Sequence, residues 1–500
     1  MKTEHFDAIV IGGGPGGSTA ATFIAMQGHK VLLLEKQRLP AYKIGESLLP
    51  ATIHGICAML GISEELKKAN FVRKNGGTFR WGRSQTPWTF AFAQSSHIQG
   101  PTSYAYQVER SKFDLMLIEN AISKGVDVRQ NHSVLEFLHA GNRFEGVVYS
   151  DENANAGLAR ARYIVDASGH QTPFARHVGE RVYSKFFQNI AVFGYFLNAK
   201  RMPPPNEGNI FCAAFQDGWF WFIPLSETLT SVGAVVAKEN AAKFKSGHET
   251  ALYGFIEACP PIKDLLASAT KVTEGQYGEV RIRKDYSYCN TKFWAPGLVL
   301  VGDAACFIDP VFSSGVHLAT YSALLAARSI NTCLKGELSE ASCFEEFELR
   351  YRREFGRFYD FLIAFYDINQ DLDSYYWTAR KVINSEERGN EAFIQLVSGI
   401  GTSEKLYNSS EEFMNARDGL GLTLFPESAG GEVRMDIENN LANTKRREFM
   451  DDFTKESVKL QAQAALKVNQ RFPEKPLSEN GLIPSPDGFH WVEPAKYRRR

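Results

Sequence analysis

Three glycines, Gly12, Gly14 and Gly17, carry the spacing G-x-G-x-x-G inside the run GGGPGGS, together with Pro15 and Ser18. The first glycine suits a tight turn, the second a close backbone approach to a pyrophosphate, and the third close packing of helix on strand. A pyrophosphate would sit on the N-terminus of the helix that follows, where free N–H groups and the dipole favour anions. Glu35 ends the run VLLLE, with Lys36 next to it, and is placed to accept from ribose hydroxyls. A second group is GWFWFIPLS at 218–226, in which Trp219 and Trp221 stand two apart. Alternate residues of a strand share a face, so both indoles would point the same way. By spacing alone that pair reads as core, and Lys74, in RKNGGTFRWG, reads by itself as a solvated cation.

The elements that must position these residues are legible from periodicity. Phe6–Ile11 is a short apolar run, followed by the glycine turn, a helical stretch to about Gly28, and the strand Val31–Glu35. Strand, Gly-rich turn, helix and strand make the first unit of a dinucleotide-binding fold. Val126–Ser150 reads as strands, with DENANAG at 151–157 as a turn. ARYIVDASG at 161–169 is a strand ending in a small-residue turn, and Ile190–Leu197 and Ile210–Val236 are strand-rich and aromatic. RMPPPNEG at 201–208 is a loop, and LVLVGDA at 298–304 is another buried strand entering a turn. Ser313 to about Leu334 is helical; beyond Glu345 the chain reads as helices, then as a polar stretch ending in KYRRR.

Composition bounds the rest. Five hundred residues suggest two or three compact units. With 56 basic and 57 acidic residues the net charge is −1, which gives no electrostatic reason to expect a nucleic-acid partner. No apolar run reaches the roughly 18 residues of a membrane span, and MKTEHFDAIVIGGG lacks the pattern of a cleavable signal. Seven scattered cysteines without a CxxC read as reduced, mostly buried thiols of a cytoplasmic protein. No HExxH or paired ligand motif appears, so no metal is expected.

A G-x-G-x-x-G fold could hold NAD or FAD. The turn GDA at 302–304, far along the chain and followed by a helix, is similar to one used by flavoproteins of the aromatic-hydroxylase architecture. That likeness implies a ribityl or ribose contact for Asp303, and a helix after Pro310 whose N-terminus faces the flavin. Glu109-Arg110, in YQVERSKFDLML, matches the same group and makes Arg110 a candidate partner of the flavin or its phosphates. No second Gly-rich turn marks an NAD(P)H site, although hydroxylases of this group bind NADPH without one.

Gly12–Gly17, the run KIGESLLP at 43–50 and the W-x-W-x-I-P of Trp219–Pro224 together resemble the FADH2-dependent halogenases, over roughly residues 5–380. The resemblance implies an α/β fold. A Rossmann-like FAD-binding domain (1–182, with substrate-side segments around 71–110, returning at 291–335) is expected with an interleaved β-sheet substrate domain (183–290) and a helical C-terminal region (336–500). It implies that Lys74 is the catalytic lysine and that DPVFSSG at 309–315 is the loop beside the flavin. Reduced flavin and oxygen would give a C4a-hydroperoxide that chloride or bromide attacks, yielding hypohalous acid that travels through a tunnel to Lys74. The amine then either hydrogen-bonds this oxidant or forms a chloramine, according to its protonation state.

Backbone N–H groups of Ser314 and Gly315 would bind the halide at a helix N-terminus, with Pro310 and Val316 lining the flavin. Glu46 and Ser47 would position backbone near the flavin, and Trp219 and Trp221 would form a wall between flavin and arene. The motifs resemble most the branch acting on phenols and pyrroles, often tethered to a carrier protein, and a separate flavin reductase is implied. Phe312 replaces the glutamate that tryptophan-type members carry, which favours an arene rich enough to lose its proton without a carboxylate base. Asp285 matches a position where one relative links an aspartate to the flavin methyl group; others carry the residue without that bond, and an ordinary strand-end carboxylate is the alternative. His317 reads as a core or capping histidine, with a proton donor as the alternative. The rival readings are a flavin monooxygenase or reductase of the same fold, and a flavin-binding protein without turnover.

Overall fold

The computed structural model describes residues 3–81, 86–94, 100–170, 172–367, 476–478 and 481–494. The apolar run at the N-terminus forms the strand Thr3–Ile11, which pairs in parallel with Val31–Glu35 on one side and with Ala156–Asp166 on the other. Asp127–Gln130 and Leu298–Leu300 extend this sheet on either side, also in parallel, and Trp294–Ala295 closes it antiparallel to the latter. Parallel strands buried on both faces need near-continuous apolar sequence, as IVIG, VLLLE and LVLV supply. The antiparallel pair Ser133–Ala140 and Arg143–Ser150 joins through Ala156–Asp166. The crossover helix Pro15–Ala25 begins directly at the glycine turn and packs against the long helix Gly315–Lys335.

A second, nine-stranded sheet carries the substrate side. Its central strands run in the order Arg281–Asn290, Arg181–Leu197, Leu229–Ala237, Gly218–Pro224, Ile210–Phe215, Gly76–Arg80 and Trp88–Ala91. Gly76–Arg80 and Trp88–Ala91 therefore enter this sheet from inside the nucleotide-binding half. The strand Gly218–Pro224 shows the period of two: Trp219, Trp221 and Ile223 join the core shared with the first sheet. Phe220 and Phe222 face a separate core covered by the helices His248–Glu257 and Pro260–Leu265.

The C-terminal region departs from the expected all-helical form. One helix, Glu340–Asp367, packs on Gly315–Lys335, but the described end of the chain is a short antiparallel pair, Ile483–Pro484 with Trp491–Val492. Trp491 is fully buried, donating its indole N–H to Ser329 Oγ at 2.9 Å, with the guanidinium groups of Arg328 and Arg350 each 5.3 Å from its ring. Sequence periodicity missed this because the strands are two residues long and held by side chains from distant helices. The basic tail at 496–500 lies outside the described residues.

Candidate active site

The glycine turn has the stereochemistry its spacing demands. Gly12 has φ +100°, and a Cβ there would lie 2.5 Å from the Ala167 carbonyl oxygen, so only glycine fits. Gly14, the N-cap of Pro15–Ala25, faces open space instead, with no atom within 4 Å of a Cβ. No acidic residue occupies the first turn of that helix. This is a cradle that leaves room for a pyrophosphate at a positive helix end, and the residues present fit FAD.

Glu35 accepts the Gly13 N–H at 2.6 Å and the Gln37 N–H at 2.9 Å, so its carboxylate braces the turn. Ser18 donates to the Gly13 carbonyl at 2.9 Å, and Lys36 is exposed. Asp303 is pushed up to about 6 by burial, against the pull of Arg110 and Arg181. Arg181 was not a sequence candidate; its guanidinium stacks 3.9 Å from the ring of Tyr288, whose hydroxyl donates to the Asp303 carbonyl.

Arg110, the candidate partner of the flavin or its phosphates, is buried and already paired within the protein. Nε and Nη2 make a two-point pair with Asp114 at 2.8 and 2.9 Å, while Nη1 donates to the Ile44 carbonyl at 2.6 Å. Most of its donor fork is thus spent on fixing the strap that leads into Glu46 and Ser47. That strap runs antiparallel to Ala105–Gln107, with Leu48 N–H donating to Tyr106 and Val108 N–H to Glu46, at 3.0 and 2.7 Å. Ala105–Gln107 pairs on its other side with Val72–Lys74.

The pairing brings Lys74 to the strap. Its side chain is 2% exposed, and Nζ donates to Ser47 Oγ at 2.8 Å, to the Leu48 carbonyl at 3.1 Å and to Ser313 Oγ at 3.4 Å. All three acceptors are uncharged. Burial without a counter-ion pulls the amine down to about 7, with the Cys212 thiol a minor opposing influence. Glu46 and Ser47, expected to position backbone near the flavin, turn their side chains to Tyr195 and Lys74. The amine also lies against the 309–315 loop, through Ser313.

Asp309 organises that loop. It is fully buried and accepts from the Val311 N–H at 3.1 Å, Asn189 Nδ2 at 3.0 Å and the Tyr366 hydroxyl at 2.8 Å. Pro310–Phe312 forms one 3₁₀ turn, Ser313 adopts the left-handed conformation at φ +59°, and Ser314 N-caps Gly315–Lys335. Ser314 Oγ is buried without a hydrogen-bond partner, no acid lies in the first turn, and a Cβ at Gly315 would meet nothing within 4 Å. Those features suit a small anion, as expected of Ser314 and Gly315. Val316 is buried behind them; His317 is also buried, its Nε2 3.0 Å from Glu354 Oε1, consistent with the core alternative.

Trp219 and Trp221 do share a face, their ring centroids 6.3 Å apart. Trp219 donates to the Tyr366 hydroxyl at 2.6 Å and Trp221 to Ser231 Oγ at 3.2 Å. An aromatic wall continues through Trp81, stacked on Phe365 at 4.3 Å, and through Phe312, 5.5 Å from Phe79 and 4.7 Å from Phe365. Asp285 lies opposite Asn189 in the strand register, and its side chain is outside the described residues. Among the described residues no group of histidine, cysteine or acid is arranged to hold a metal, and no helix is long and apolar enough to cross a membrane. All seven cysteines are free and buried.

The glycine turn, the open helix N-terminus at Ser314 and the buried Lys74 are the arrangement expected of a flavoprotein that handles a small anion. The model of the tryptophan halogenase family matches residues 7–101 and 95–425, and the chain belongs to that family of FAD-dependent halogenases. It is 33% identical over 405 residues to a tryptophan 2-halogenase of Chondromyces crocatus, covering 78% of this chain and 75% of the relative. It is 30% identical over 391 residues to a 1H-pyrrole-2-carbonyl-[peptidyl-carrier protein] chlorinase of Pseudomonas fluorescens, covering 74% and 85%. Among solved structures it resembles the myxobacterial chondrochloren halogenase CndH, at 55% identity and TM-score 0.77 over 98% of this chain and 100% of that one. CmlS, another flavin-dependent halogenase, aligns at 29% identity and TM-score 0.73, over 98% and 84%.

Proposed function

We propose that this halogenase places chlorine or bromine on an electron-rich phenol or pyrrole, that Lys74 delivers the halogen, and that a separate reductase supplies the FADH2. The carrying observation is the setting of Lys74: a buried amine held by neutral oxygens, beside a halide loop whose neighbouring position is Phe312 rather than a carboxylate. Gly12, Gly14, Glu35 and Asp303 would hold the FAD, which when bound and reduced supplies, with dioxygen, the two-electron oxidation of halide to hypohalous acid.

The protein's own groups do the rest. The first turn of Gly315–Lys335 and Ser314 Oγ hold the halide, and the aromatic wall around Trp219, Trp81 and Phe312 excludes water and fixes the arene. Lys74 meets the oxidant while about half neutral near pH 7, so that the free amine takes the halogen or the ammonium hydrogen-bonds it. Orientation of arene against amine contributes the entropic part of the barrier. Presentation on a carrier protein draws support from the printed activity of the pyrrole relative. The tryptophan relative favours a second reading, in which the arene is free tryptophan.

The protein with photoreduced FAD, oxygen and bromide is offered a phenol, a carrier-bound pyrrole-2-carboxyl group and tryptophan in competition, and products are read by mass. The bromine isotope pattern on phenol or pyrrole is expected; brominated tryptophan alone would overturn the substrate class, and a gain of one oxygen would indicate a monooxygenase. Lys74→Ala is expected to abolish arene bromination while hypobromous acid still accumulates. Wild-type product from that variant would remove Lys74 from the reaction.

A further inference from the structure

Glu46 is 2% exposed, lies one residue from the serine that holds Lys74, and has no assigned chemistry. Its Oε1 accepts the Tyr195 hydroxyl at 2.7 Å, and the Tyr195 and Tyr42 hydroxyls are 2.9 Å apart. Because the Tyr195 proton is committed to Glu46, Tyr42 must be the donor to Tyr195, so both hydroxyls point their protons inward. Tyr42 is partly exposed, beneath the Arg281 guanidinium, 3.8 Å from its ring. At the inner end Glu46 Oε2 has no partner of ordinary hydrogen-bond geometry, and the Ser231 hydroxyl near it accepts from Trp221 Nε1. A line of hydrogen-bonded groups therefore leads from the partly exposed Tyr42 to Glu46, whose free oxygen lies near Ser231 on the strand beside the tryptophans.

The overall reaction creates a demand for such a line. With ArH the arene and X⁻ the halide, the balance is ArH + X⁻ + O2 + FADH2 + H⁺ → ArX + FAD + 2 H2O. The flavin and the C–H/halide pair each give up two electrons, dioxygen takes four, and the C–H proton leaves in water. One further proton enters from solvent per turnover, because an anion is consumed and the products are neutral. We propose that Tyr42, Tyr195 and Glu46 form the inlet for that proton, with Glu46 as the internal acid that delivers it. Since the demand follows from halogenation, the inlet rests on the function proposed above.

The surrounding charges suit this role. Burial raises Glu46 to about 7; the hydroxyls of Tyr195 and Ser231 and the charge of Arg110 pull it down, and Glu109 pushes it up. Around the outer end stand Tyr277, whose hydroxyl donates to Glu109 at 3.0 Å and whose ring lies 4.4 Å from Tyr195, together with Arg281 and Arg283. Burial raises both relay tyrosines, so both remain protonated donors at neutral pH. Glu46 is loaded below pH 7 and empties above it.

Tyr195→Phe keeps the ring and removes the link, and Glu46→Gln removes the acid. In the bromide assay, Tyr195→Phe is expected to lower kcat at pH 8 by about a hundredfold, the low end for loss of a positioned acid. KM for bromide should stay unchanged, and added imidazole buffer, as a diffusible acid, should restore the rate. A wild-type rate, a loss confined to KM, or a loss that imidazole does not restore would each overturn the inlet. Infrared titration of the protein needs no turnover. A protonated-carboxyl band that fades as pH rises through about 7, is missing in Glu46→Gln and is displaced in Tyr195→Phe supports the Glu46–Tyr195 link; no such band sinks it. Wild type that shows this band yet yields no brominated arene would defeat the functional reading and with it the inlet's role, leaving only the hydrogen-bonded line.

Discussion

Replacing Lys74 by methionine should make the protein more stable near neutral pH while ending halogenation. The buried amine has been lowered from the ordinary lysine value of 10.5 to about 7. At about 1.4 kcal/mol per unit, holding the charged form inside costs on the order of 5 kcal/mol. Methionine escapes that cost but leaves Ser47 Oγ, the Leu48 carbonyl and Ser313 Oγ without the amine, at about 1 kcal/mol for each lost hydrogen bond. The difference is a net gain of about 2 kcal/mol at pH 7.

The sign with pH follows from proton counting. Between about pH 7 and 10.5 the unfolded chain holds a proton on this lysine that the folded chain lacks, so wild-type stability rises with pH in that window. The cost is fully present below 7 and gone above 10.5. The advantage of Lys74→Met should therefore shrink by roughly 2 kcal/mol between pH 7 and pH 9. Urea unfolding of both proteins at pH 6, 7, 8 and 9 measures it. Parallel stability curves would refute the reasoning, because they would mean that the amine keeps an ordinary proton affinity inside the fold.

Two further outcomes follow from the same geometry. Arene halogenation should be bell-shaped in pH and centred near 7, rising as Lys74 loses its proton and falling as Glu46 loses its own; a flat profile from pH 6 to 8 would contradict both assignments. Trp219→Ala should lose about 3–5 kcal/mol of stability and open the wall, so that a product carrying one added oxygen appears beside the halogenated one; mass analysis showing only halogenated product would deny Trp219 its separating role.

The parts of the site made by neighbours in sequence were readable from sequence. Gly12, Gly14 and Gly17 sit on one strand–helix joint; Gly12 and Gly17 have no room for a side chain, and Gly14 leaves the helix end open. Trp219 and Trp221 share a face because strands alternate, a local rule that holds here. What joins distant segments was not readable. Only a family motif singled out Lys74, since its burial depends on the strap and on Ser313, 239 residues away. The same holds for Tyr366, 147 residues from the indole it accepts from, and for Arg181 beside Asp303. Arg110 shows a local partner that could have been read: Asp114, four residues on along the same helix, takes two of its donors. That partner was visible at i+4, the spacing at which helix side chains meet.

The strap at Glu46–Ser47 has a consequence for redesign. Glu46 turns toward Tyr195 while Ser47 turns toward Lys74, and a single peptide plane separates them, pinned on the backbone side by Tyr106 and Val108. Tilting that plane by a few degrees would displace acid and amine together in opposite senses. Attempts to enlarge one chamber for a bulkier arene or a heavier halide will therefore retune the other, and compensating changes should be sought in Ala105–Gln107, the strand that sets the tilt.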